Sequence, residues 1–314
     1  MTRPSFPDGA QFAFTIFDDT DNATVANTAP VYRLLAEHGI LTTKSVWVYP
    51  PRGRFTGDCL LDPEYRAWIL ELKAQGFEIG LHNVGDGAFS RREILDGLDI
   101  FRDIVGTYPR VHANHAWSPD SIYWWERRFE WPFGLLYRLA YRQRHGPLQR
   151  KPGHDPSSPY FWGDAVKAHI SYIRNLTFND IDTLAYDPRM PYRVRSKVAF
   201  SNGWFSSSDG QSVAEMRDLL SDTNIDALEA AGGVCIVYTH FASGFVDDAG
   251  RVDPVFERQI AYLASKRGWF VPVSTLLDHL ATQGSTEDPG YRYRLSRNVR
   301  WAVDRLNKRR RYGR

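Results

Sequence analysis

Three carboxylates crowd one short stretch of the chain, Asp18, Asp19 and Asp21, directly after an apolar run. Imidazoles follow at His82, His112, His115 and His240, each at or just past the end of its own apolar run. Carboxylates this close repel one another and are costly to desolvate unless something positive sits among them. A mixed Asp/His set with an open coordination position is the usual composition of a catalytic zinc or related divalent site. Such an ion lowers the pKa of bound water and polarises a carbonyl. A second carboxylate can then act as general base, and a distant histidine as general acid. Taken singly, an Asp-Asp pair reads as a capped, solvated turn and a lone histidine as structural. Their shared position at strand ends is what favours chemistry.

The elements that would hold these groups can be read from apolar periodicity. Residues 12–17 are almost all apolar or β-formers, the mark of a strand buried on both faces, and the acidic tip ends it. A helix follows, with Thr28 as N-cap and Pro30 in its first turn, stopped by Gly39. Strands are expected at 43–49 and 77–81, the latter delivering His82, with a helix at 63–75 between them. Residues 91–105 keep a 3.6-residue apolar period behind a Ser90/Glu93 capping box. A short strand at 110–111 runs into His112 and His115. This alternation predicts right-handed βαβ units and a parallel sheet or barrel, whose strand C-termini meet on one face. Residues 117–164 interrupt the rhythm as a long, aromatic insertion with a short helix near 133–141. Beyond it, strands are expected at 171–178, 194–200, 234–239 and 268–273, with a Ser-rich turn at 206–210. Helices are expected at 213–231, broken near Asp222, and at 255–266 and 275–281.

The segments TIFDDTD, GFEIGLHN, IVYTHF and GWFVPVSTLLDHL, in this order, make the chain similar to the polysaccharide deacetylase family, the NodB-homology domain. The resemblance implies an α/β fold, a distorted (β/α) barrel in a single domain with a long insertion. It implies a metal-dependent hydrolase that removes acetyl groups from a carbohydrate. By position it implies Asp18 as general base, Asp19 and His82 as ligands of a divalent metal, zinc by preference, and His240 as general acid. The family's second motif histidine is replaced by Asp86. Its Arg-Pro-Pro segment, which orients the base, gives way to VHANHAW. His115 is therefore the favoured third ligand, with Asp86 and His112 as the alternatives. Asn83, Asn114 and Trp204 are the candidates for contacts to sugar. The competing reading is a metal-free protein of this fold that binds glycans or a partner without turnover, or one that hydrolyses another C–N bond.

Composition is compatible with this. The 314 residues are 43% hydrophobic, carry a net charge of +2, and so have no bulk preference for nucleic acid. Ten tryptophans supply planes that suit sugar rings as well as core. Cys59 and Cys235 fall in no metal or redox spacing, no apolar leader opens the sequence, and no membrane span is apparent. A cytoplasmic protein is the expectation. Residues 1–285 are read as the catalytic domain and 286–314 as a basic tail. The tail's Leu295, Val299, Trp301 or Ala302, and Leu306 could form an apolar stripe among arginines, for an anionic surface or for packing on its own protein.

Overall fold

The computed structural model describes residues 3–313. In chain order the elements are β1 (Phe12–Asp18), α1 (Val25–Glu37), β2 (Thr43–Val46), α2 (Pro63–Ala74), β3 (Glu78–Leu81), α3 (Arg91–Val105) and β4 (Val111–Ala113). The insertion carries a 3₁₀ turn (Trp125–Arg128) and α4 (Phe133–His145). Then come α5 (Gly163–His169), β5 (Tyr172–Phe178), α6 (Thr183–Tyr186), β6 (Gly203–Asp209), α7 (Val213–Leu219), α8 (Asp222–Ala231) and β7 (Val234–Thr239). The chain ends with α9 (Pro254–Ala264), β8 (Gly268–Phe270), α10 (Val273–Gln283) and α11 (Tyr291–Tyr312).

Strands β2 to β7 pair in parallel in sequence order, β7 pairs with β1, and β1 closes the ring on β2. The result is a closed seven-stranded parallel barrel in one domain, surrounded by helices. The closure is uneven. The lower half of β1, Phe12 to Phe14, pairs with β8, whereas its upper end pairs with β2 through Phe17–Thr43 and Asp18–Lys44. From Ala13 to its tip β1 also pairs with β7. Its side chains alternate between lumen and helix layer, as a strand must. Phe17 fills the lumen against Gly80 of β3, where a Cβ would meet its ring at 3.2 Å. Tyr32 and the other buried residues of α1 cover the outer face.

Local chemistry explains the element starts. The capping box of α3 forms as the sequence predicts, with Ser90 and Glu93 bonding each other's backbone. Helix α1 begins four residues earlier than expected: Thr24 is the N-cap, reciprocated by Asn27, and Thr28 bonds back to the Thr24 carbonyl inside the helix. Residues 194–200, expected as a strand, instead hold a 3₁₀ turn at Arg195–Lys197. The strand is β6, and it absorbs the serines expected to turn. Ser206 donates to Asp187 and Ser208 pairs with Thr183, so these small polar side chains are satisfied within the buried wall.

The basic C-terminal residues form a long helix that packs on the barrel. Asn298, Asp304 and Lys308 of α11 are buried, and the Trp301 ring packs at a tilt against Phe129 of the insertion, centroids 4.8 Å apart. Val299, Val303 and Leu306 lie on its exposed side. Among the described residues no helix is long and apolar enough to cross a membrane.

Candidate active site

The upper strand ends meet at a cavity of about 350 Å³. Its floor is Asp19, Asp21, His82, His115 and His240. Asp21 lies at the centre. One carboxylate oxygen is 2.7 Å from His115 Nε2, and the other is 3.2 Å from His82 Nε2 and 2.9 Å from His240 Nε2. Burial alone would raise the pKa of Asp21, but the three imidazoles hold it well below the usual carboxylate range.

The opposite ring nitrogens fix the tautomers. His82 Nδ1 is 2.9 Å from the Ala113 carbonyl, which only accepts, so Nδ1 carries a proton. His115 Nδ1 is 3.1 Å from Ser118 Oγ, which donates to the Gly85 carbonyl and so accepts from the ring. In the neutral rings both Nε2 atoms therefore aim lone pairs at a buried carboxylate. That arrangement is repulsive unless a cation lies between them or the rings are protonated. Asp21, His82 and His115 place one donor atom each within 4.8 Å of one another. An N,N,O donor set whose histidines are oriented by carbonyl and hydroxyl partners fits a divalent ion.

Asp19 stands beside this group. Both its oxygens are gripped by the Arg174 guanidinium, at 2.8 and 2.5 Å, and His82 Nε2 is 3.8 Å away. Burial opposes ionisation of Asp19, yet Arg174 and His82 keep its pKa low. Arg174 lies within buried β5 and stacks over Tyr238 at 4.3 Å. On the other side, His240 has a raised pKa: burial lowers it, and the bond to Asp21 with the charges of Asp19 and Asp18 outweighs this.

The remaining expected residues fall as follows. Asp18 points outward, away from the cavity. Its carboxylate takes Lys44 Nζ at 2.9 Å, Tyr32 Oη at 3.1 Å and the Phe241 amide at 2.9 Å. So held, it does not line the cavity, whereas the general base expected at this position would. Asp86 lies behind His115, with one oxygen bound to the Phe55 amide and the other 3.6 Å from Nδ1, the side facing away from Asp21. Asn83 is spent on Asp120 and on the His115 amide. Trp204 is buried, with its indole N–H on Ser201. Neither lines the cavity. Asn114 does, but both ends of its amide hold the Ile122 backbone. His112 turns away toward Trp162.

Burial, and then the charge of His82, push the His112 pKa down to about 3. The sign of the consequence is fixed. Unfolded His titrates near 6.5, so the folded state binds fewer protons below that pH. Stability is complete above about pH 6.5 and is lost as pH falls from there toward 3, by on the order of 5 kcal/mol in full. The melting temperature should drop between pH 7 and pH 5, and His112→Asn should flatten that slope. An equal slope in the variant would assign the acid sensitivity to other groups.

Sequence reasoning placed Asp21 at the acidic tip without giving it a role, and missed Arg174 altogether. The signal for Arg174 is its charge in the middle of the otherwise uncharged strand SYIRNLTF, because a buried guanidinium requires a buried partner. Trp301 and Arg305 of α11, and Trp124 and Arg128 of the insertion, also line the cavity. They come from segments with no strand-end signature.

Comparison of the sequence with family models and with curated proteins finds no match. Solved structures do match. A candidate polysaccharide deacetylase from Mycobacterium smegmatis aligns with a TM-score of 0.51 at 13% identity, over 90% of this chain and 94% of that one. PuuE allantoinase aligns with a TM-score of 0.51 at 12% identity, over 90% and 94%. A candidate polysaccharide deacetylase from Pseudomonas aeruginosa PAO1 gives 0.51 at 11%, over 90% and 95%. What is shared is the fold, the distorted barrel of the NodB type. This chain carries it in a sequence far diverged from those of the solved examples.

Proposed function

We propose that the protein is a metal-dependent hydrolase that removes an acyl group, acetyl by preference, from a carbohydrate. The observation that carries this reading is the buried Asp21 carboxylate facing the Nε2 lone pairs of His82 and His115, with Asp19 held ionised beside it. Asp21, His82 and His115 would hold the ion, and the N,N,O donor set favours zinc. Bound there, a divalent ion polarises the scissile carbonyl and lowers the pKa of water. Asp19 accepts the proton of the attacking water, and Arg174 fixes its orientation. His240, protonated and on the opposite side of Asp21, donates to the departing amine or alcohol. The two carboxylate roles thus shift along the acidic tip from Asp18 and Asp19 to Asp19 and Asp21. Trp117, Trp124 and Trp301 provide flat apolar walls of the kind sugar rings stack on. The cavity volume is at the small end for ligand sites and suits one sugar unit. The same volume favours, as a second reading, hydrolysis of a C–N bond in a small non-sugar amide, and the fold is shared with an allantoinase.

Elemental analysis and acetate release test the proposal together. Protein purified without added ions should carry about one equivalent of divalent metal and release acetate from acetylated amino-sugars. His115→Ala should lose the metal, whereas Asp86→Ala, acting from behind the ring, should retain most of it. Full metal content in His115→Ala would refute the assigned ligand set. Acetate release absent from every acetylated sugar, with turnover of a small amide, would establish the second reading.

A further inference from the structure

The cavity holds three arginines, and two are spoken for. Arg174 is committed to Asp19. Arg305 is 2.7 Å from Asp209 and also bonds Thr177, although its Nε has no partner. Arg128 is different. No carboxylate, carbonyl or hydroxyl receives its guanidinium among the described residues, and its Nε is shielded from solvent without a partner. Its surroundings are aromatic, with Cζ 4.4 Å from the Trp124 ring, 5.0 Å from Phe129 and 5.1 Å from Trp301. Polar groups removed from water are normally satisfied, and an exception calls for an explanation. Burial first, and then repulsion from Arg305 and Arg174, pull the Arg128 pKa down to about 9. The cation therefore sits where a negative charge would be welcome.

The backbone that presents Arg128 is strained. Tyr123 and Trp125, on either side of Trp124, have φ of 48° and 52°, a region that bulky residues rarely occupy. Such strain persists only where surrounding contacts over-determine the conformation, and it clusters at ligand clamps. Arg128 and Trp124 belong to the insertion, and Arg305 and Trp301 to α11. Two segments outside the barrel thus supply one wall of the same cavity.

We infer that this wall is an oxyanion subsite: the substrate carries a carboxylate or a phosphate in addition to the group that is cleaved, and the Arg128 guanidinium receives it, with Arg305 beside it, between the planes of Trp124 and Trp301. A planar fork of N–H donors matches either oxyanion, and both give the charge-assisted bonds that Arg128 lacks. The inference rests on the reading of the cavity as a substrate site, and it narrows the substrate to an anionic sugar derivative.

Calorimetric titration separates the possibilities, with three probes that share the acetamido group. N-acetylglucosamine is neutral, N-acetylmuramic acid adds a carboxylate and N-acetylglucosamine 6-phosphate adds a phosphate. At low salt the wild-type protein should bind at least one anionic probe about tenfold or more tightly than the neutral one. Rising salt should erode that ratio. Arg128→Gln should bring the ratio close to one at unchanged metal content, and Arg128→Lys, which keeps the charge but not the fork, should retain part of it. The probe that shows the preference identifies the anion. Equal binding of all three by the wild type, or a preference that survives Arg128→Gln, would overturn the subsite. Acetate release is recorded separately. A charge preference without release keeps the subsite and removes the deacetylase reading. Release without a charge preference does the reverse.

Discussion

Asp19→Asn is expected to keep the fold and the metal and to lose turnover by roughly 10²–10⁴-fold, the usual cost of removing a general base. The amide is nearly isosteric and can still accept one bond from Arg174, so the site should not collapse. What it cannot do is take a proton from water. The neighbouring Arg174 gives a second handle. Removing its charge with Arg174→Gln should raise the Asp19 pKa, because Arg174 is the main influence that lowers it against burial. The acid limb of the pH–rate profile should then move to higher pH. Acetate release measured across pH for both variants, with metal content determined in parallel, checks the assignment. Near-normal turnover in Asp19→Asn would remove Asp19 from the mechanism.

Asp18→Ala should behave in the opposite way, with a large loss of stability. Asp18 and Lys44 form a fully buried pair, register neighbours across β1 and β2. Burial disfavours charged Lys44, and Asp18, with smaller help from Tyr65 and Asp19, more than compensates, so its pKa is raised. Removing the carboxylate leaves an uncompensated ammonium in the protein interior, at a cost of about 3–5 kcal/mol. Urea unfolding should show this as a lower midpoint. The double variant Asp18→Leu, Lys44→Met, which removes both charges, should recover much of the loss. Molecules of Asp18→Ala that remain folded should turn over substrate at close to the normal rate. A stable Asp18→Ala protein without activity would restore Asp18 to the site.

The contrast between these neighbours shows what could be read from the chain and what could not. A parallel sheet or barrel, and the convergence of His82, His115 and His240 on one face of it, follow from apolar runs ending in polar residues; the choice of a barrel rested on the family resemblance. The choice between Asp18 and Asp19 depends on which strand face looks into the lumen. One sign of it is present: Ala13 and Thr15 are the small residues of β1, and Asp19 is in phase with them, whereas Asp18 is in phase with Phe12, Phe14 and Ile16. Lys44 is a second sign, since a lysine in a buried strand must have a partner. The place of Asp21 was not legible, because a residue in a turn has no periodicity to give its direction. Nor was the wall formed by Trp124, Arg128, Trp301 and Arg305, which depends on how an insertion and a terminal helix pack together. The serines of β6 were misread for a related reason. Serine favours turns, and only tertiary partners such as Asp187 and Thr183 reveal that it lines a buried strand.

The divided pairing of β1 has a kinetic meaning. The strand that carries all three carboxylates on or just beyond its tip is completed by β7 and β8, from the far end of the sequence. Until those strands arrive, Phe12 to Phe14 present unpaired amides and apolar side chains, an edge that invites association with other chains. Contacts so distant in sequence close late and slowly. The carboxylates and imidazoles of the cavity therefore come together only as the barrel itself shuts, and an incompletely folded chain has neither its edge protected nor its cavity assembled.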